Sequence, residues 1–104
     1  MKILITVEKD WVSPRFDLTR EVLIAENKGE KIRTVILPRP SVEELCSFIL
    51  TENVDIVVCG GIEETYYQYL LWKKVKVIDR VIGPVKEVLK RVVQNRLREG
   101  KIIR

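Results

Sequence analysis

Apolar positions keep two different rhythms along this chain. Residues 2–7 (KILITV) are rich in β-branched side chains and predict a buried strand. Residues 8–17 follow as a polar loop that carries Trp11, Val12, Ser13, Pro14, Arg15 and Phe16. Residues 21–26 (EVLIAE) predict a second strand and residues 32–37 a third, antiparallel to it. Between them stand the hairpin residues Asn27, Lys28, Gly29 and Glu30, with Gly29 free to take a positive φ. Pro38 and Pro40 close the third strand.

After Pro40 the spacing turns helical. Ser41 with Glu44 three residues on reads as a capping box, and Val42, Leu45, Phe48 and Ile49 share one face of the helix it opens. Residues 55–59 (DIVVC) are apolar on both faces, as in a central strand with helices above and below. Residues 63–74 predict a second helix and 75–79 a fifth strand. A third helix starts near Pro84, with Val85, Val88, Leu89, Val92, Val93 and Leu97 spaced as one apolar stripe. The order β-β-β-α-β-α-β-α predicts an α/β fold: a five-stranded mixed sheet, strand order 3-2-1-4-5, with helices on both faces. That is the ribonuclease H-like three-layer arrangement. Strands 1 and 4 are then neighbours whose connections leave in opposite directions, a switch point where open α/β sheets bind ligands. The loops 8–16 and 59–61 meet there.

The 104 residues make one domain, residues 1–104, with no room for a second core. With 46% apolar and 33% charged residues the balance is that of a soluble globular protein, and no apolar run approaches the roughly 20 residues of a membrane span. Glu8, Lys9 and Asp10 cut off the apolar start before it could serve as a signal peptide, so a cytoplasmic location is expected and a membrane partner is not. The absence of histidine removes the commonest general base and transition-metal ligand, which argues against an enzyme. Two cysteines, Cys46 and Cys59, suggest neither a disulfide framework nor a zinc site. Part of the +4 charge gathers in Lys86, Lys90, Arg91, Arg96, Arg98, Lys101 and Arg104. No aromatic residue interleaves them, so a solvated helix end is favoured over a nucleic-acid surface.

The candidate chemistry is sparse. A two-metal nuclease needs clustered carboxylates, whereas strand 4 ends in Cys59-Gly60-Gly61 and its Asp55 lies at the far end. Gly60 and Gly61 could bring backbone N–H groups to an anion, but Glu63 and Glu64 in the following helix would repel one. The alternative is structural: two glycines for a sharp turn and Cys59 as a small core residue. Ser13 and Arg15 bring a hydroxyl and a cation to the same end of the sheet. Tyr66, Tyr67, Tyr69 and Trp72 cannot all face one side of their helix; partial burial in the core is favoured, with a homodimer or partner-protein surface or a small-molecule wall as the alternatives.

The ordered set MKILITV, VSPRF, VDIVVCGGI and VKVID-x-VIG, followed by an amphipathic helix, resembles the dinitrogenase iron–molybdenum cofactor biosynthesis family of NifX-like proteins and NifB-like C-terminal domains. The resemblance covers essentially the whole chain and implies the same ribonuclease H-like fold. It further implies a non-enzymatic binding or carrier protein for an iron–sulfur or iron–molybdenum cluster precursor. By position, Ser13, Arg15 and Phe16 match the family's S-x-R-F loop, and Cys59, Gly60, Gly61 and Ile62 its C-G-G-I turn. The resemblance thus marks these seven as the ligand-binding set, with Cys59 as the metal ligand. The chain departs from the pattern after Phe16, where Asp17-Leu18-Thr19 stands in place of Gly-Arg-Ala, and in lacking histidine.

Overall fold

The computed structural model describes residues 1–94. Its elements run β1 (Ile3–Glu8), β2 (Trp11–Val12), β3 (Glu21–Glu26), β4 (Lys31–Ile36), α1 (Val42–Thr51), β5 (Ile56–Val58), α2 (Glu64–Trp72), β6 (Lys76–Ile78) and α3 (Val85–Val93). One mixed sheet holds all six strands. Its path is β4-β3-β1-β5-β6, and β2 pairs with β1 off that path. The antiparallel pairs are β1–β2, β1–β3 and β3–β4; β1–β5 and β5–β6 are parallel.

The sixth strand corrects the polar loop expected after the first strand. Glu8 pairs with Trp11 across a two-residue turn, and both turn residues, Lys9 and Asp10, have positive φ (50° and 69°). Turns of this type announce themselves through Asn-Gly or Asp-Gly, and Lys-Asp carries no such signal. The β3–β4 turn does follow its sequence: Asn27, Lys28 and Gly29 all take positive φ.

Alternation along β1 divides the core. Ile3, Ile5 and Val7 face α3, packing with Val85, Val88, Leu89 and Val92. Leu4 faces the other way, into a core with Leu45, Cys46 and Ile49 of α1 and Leu70 of α2. A strand buried on both faces is apolar at nearly every position, here all but Thr6 among its buried residues, which is why its sequence shows no polar–apolar alternation. Ser41 caps α1 by accepting from the Glu44 N–H at 3.2 Å. The Glu44 carboxylate is turned instead to Arg39, at 3.3 Å. Leu97 and the basic residues Arg96, Arg98, Lys101 and Arg104 lie outside the described residues.

Candidate functional site

β1 and β5 run parallel side by side, and past their carboxyl ends the chain leaves in opposite directions: β1 into the β2 hairpin, β5 into α2. The loop 13–16 crosses this end of the sheet and is stitched to the turn after β5. The Gly60 N–H donates to the Ser13 carbonyl at 3.1 Å, the Gly61 N–H to that of Pro14 at 2.8 Å, and the Phe16 N–H to that of Gly61 at 2.8 Å. Arg15 and Gly61 form a parallel bridge as a result. The glycines expected to offer N–H groups to an anion therefore spend them on the neighbouring loop, which corrects that part of the sequence reading.

Gly60 answers to a steric demand. A Cβ there would lie 2.4 Å from the Ser13 carbonyl oxygen and 2.8 Å from two backbone atoms of Pro14, closer than such contacts occur; at Gly61 the nearest atom would be 3.3 Å away. Close backbone approach, not positive φ, fixes glycine at position 60.

The remaining expected residues separate. Cys59 is fully buried in the core beneath α1 and α2, its N–H donating to the Ile78 carbonyl at 3.0 Å, so its side chain is closed off from the surface. Burial of this kind suits a small apolar side chain. Phe16 is buried in the same core and Ile62 packs against it. Ser13 is buried, its hydroxyl donating to the Arg15 carbonyl at 3.1 Å, and Thr19 donates to the same oxygen at 2.9 Å. The Arg15 guanidinium grips Asp17 through both oxygens, at 3.1 and 2.6 Å. Asp17 is one of the residues that depart from the S-x-R-F-G-R-A pattern, and here it takes up the charge of Arg15. Among the described residues no three Cys, Asp or Glu side chains gather as a metal site.

Beside the stitched loops opens a groove of about 480 Å3, lined by Glu8, Trp11, Val12, Pro14, Gly60, Gly61, Arg80, Val81 and Ile82. Of the seven expected residues only Gly60 and Gly61 line it. Sequence reasoning missed Trp11, 49% exposed, and Ile82, 53% exposed. It also missed Arg80, which sits at the variable position of V-I-D-x-V-I-G. Arg80 has a positive φ of 58° and its N–H donates to the Gly60 carbonyl at 2.9 Å, so the backbone turns there and carries the side chain to the groove. A second groove, about 370 Å3, lies between α1 and α2 beside Cys46, Tyr66 and Tyr69. Burial, reinforced by the Glu43 carboxylate, pushes the Cys46 thiol up to about 11.

Fold and groove together define an α/β domain with a mixed sheet, three helices and an open cleft at its switch point. The chain belongs to the dinitrogenase iron–molybdenum cofactor family, whose model matches residues 1–95. Three solved structures share the fold. The crystal structure of PH0822 has a TM-score of 0.85 at 23% identity, over 95% of this chain and 94% of that one. The NMR structure of a NifB candidate from Thermotoga, of the DUF35 family, has a TM-score of 0.75 at 19% identity, over 99% and 97%. The apo form of the orange protein from Desulfovibrio gigas has a TM-score of 0.77 at 16% identity, over 91% and 88%. No curated protein matches the sequence.

Proposed function

We propose that this chain is a non-enzymatic carrier domain of ribonuclease H-like architecture that seats an anionic metal–sulfur cluster precursor in the switch-point groove. The observation that carries the reading is the position of that groove in a chain of this family: beyond the carboxyl ends of β1 and β5, between the two family motifs, with Arg80 and Trp11 at its rim. That a structural neighbour was solved in an apo form supports a binding role. The described residues do not fit a centre ligated by the protein, since Cys59 is sealed in the core and no cluster of ligating side chains is found among them. The cargo is held by shape and the Trp11 face, with the Arg80 guanidinium, 3.7 Å from the Asp79 carboxylate, at the rim and no protein–metal bond.

Anaerobic reconstitution with iron and sulfide tests this, read through Trp11 fluorescence in a Trp72→Phe background. Saturable quenching is expected, weakened tenfold or more in Arg80→Glu and Trp11→Ala and retained in Cys59→Ala. No quenching would refute the carrier reading. Loss in Cys59→Ala alone would return the site to the thiol.

A second reading, a cofactor-free interaction module, is favoured by one observation: Tyr69, Leu71 and Trp72 of α2 stay exposed, Trp72 at 74%. Lys73 lies over the Trp72 ring at 4.7 Å, which already engages part of that face.

A further inference from the structure

We infer that two copies of this chain pair through β4, forming a two-fold antiparallel extension of the sheet centred on Thr34. β4 ends the sheet path, and among the described residues nothing pairs with its outer side. The other end is blunt: β6 has three residues, β4 has six. A long unpaired edge is a template for another strand.

The β3–β4 register decides which groups face outward. Leu37 donates to the Arg20 carbonyl at 2.6 Å, so positions 37, 35, 33 and 31 turn their backbone groups inward to β3. Ile32, Thr34 and Ile36 therefore turn their N–H and C=O groups to the open edge. All three side chains stand on one face and are exposed, Ile32 at 51% and Ile36 at 67%. An antiparallel pair centred on Thr34 sets Thr34 against Thr34 and each Ile32 against Ile36 of the other copy. Every outward donor then meets an outward acceptor, giving about six backbone hydrogen bonds. Thr–Thr and β-branched apolar pairs of this kind stabilise neighbouring strands. The strip complements itself, as an isologous interface requires. Arg33 does not obstruct the pairing: its backbone faces β3 and its guanidinium bonds Glu52.

Cysteine cross-linking of the full chain reads the register directly. In the pair, two Thr34→Cys residues lie about 5.5 Å apart at Cα, within disulfide reach. Two Ile32→Cys residues lie about 13 Å apart, beyond it. Mild oxidation is expected to cross-link Thr34→Cys to twice the 12.2 kDa chain mass and to leave Ile32→Cys alone monomeric. An equimolar mixture of Ile32→Cys with Ile36→Cys should cross-link. Hydrogen exchange gives an independent readout on the unmodified protein: the Thr34 amide should gain protection as concentration rises, while Arg33 and Val35 stay protected throughout. Ile36→Lys, a change at an exposed site, should abolish the concentration dependence while leaving the thermal midpoint unchanged at dilutions where the parent is monomeric. A chain that sediments as a monomer at about 100 μM, equal cross-linking of Thr34→Cys and Ile32→Cys, or a dimer that survives Ile36→Lys would each overturn the inference.

Discussion

Replacing Gly60 with alanine adds a single methyl group where the structure has no room for one. The new carbon would sit 2.4 Å from the Ser13 carbonyl oxygen and 2.8 Å from the Pro14 backbone. Neither neighbour is a flexible side-chain tip, so relief requires the 13–16 loop to move off the β5 turn by most of an ångström. That movement strains the bonds from Gly60 to Ser13, from Gly61 to Pro14 and from Phe16 to Gly61, each worth about 1 kcal/mol net. It also disturbs the seat of Phe16, which is only 1% exposed. The combined cost is about 2–4 kcal/mol, within the range for overpacking and lost buried hydrogen bonds. For a domain of this size that lowers the thermal midpoint by roughly 10–25 °C. Gly61→Ala is the control: its Cβ would meet one carbonyl oxygen at 3.3 Å, so a loss below about 1 kcal/mol is expected. Urea unfolding of both variants reads the difference. A Gly60→Ala protein within 1 kcal/mol of the parent, or a Gly61→Ala protein less stable than Gly60→Ala, would refute the close-approach argument.

Thr6 is fully buried and its hydroxyl has no hydrogen-bond partner among the described residues, so the isosteric Thr6→Val should raise stability by about 1 kcal/mol; a loss of that size would reveal a hidden partner. Arg15→Ala should change stability by less than about 1 kcal/mol, because Arg15 is exposed and Asp17 only half-buried, and it should leave groove binding intact. Loss of cargo binding in Arg15→Ala would restore Arg15 to the site. The Cys46 thiol holds its proton more tightly folded than unfolded, so its contribution is intact below about pH 9 and is lost as the pH rises towards 11. Unfolding free energy measured at pH 8 and pH 10.5 should fall more in the parent than in Cys46→Ala, by up to about 2 kcal/mol; equal falls would dismiss the buried thiol as the source.

What the residues alone determined was the run of elements apart from β2, and the two-sided core. The largely apolar stretches in β1 and β5 point to burial on both faces, and the Val85–Val92 stripe to a helix laid on a sheet. The cap at Ser41 and the turn at Gly29 were legible because each is a local event written in neighbouring residues. Where two distant segments meet was not legible. The C-G-G turn and the S-P-R-F loop were rightly placed together, and of the two readings of the turn its geometry follows the structural one rather than the ligand-binding one. The glycine N–H groups are consumed in joining the loops, Arg15 turns to Asp17, and Cys59 is sealed beneath α1 and α2. Arg80 reaches the groove only because the backbone takes a positive φ after β6, and Trp11 only because Lys9-Asp10 folds β2 back on β1. Periodicity reports which side of an element is buried. The atoms that line a cleft are chosen by contacts between segments some fifty residues apart, and those exist only once the sheet has brought β1 and β5 side by side.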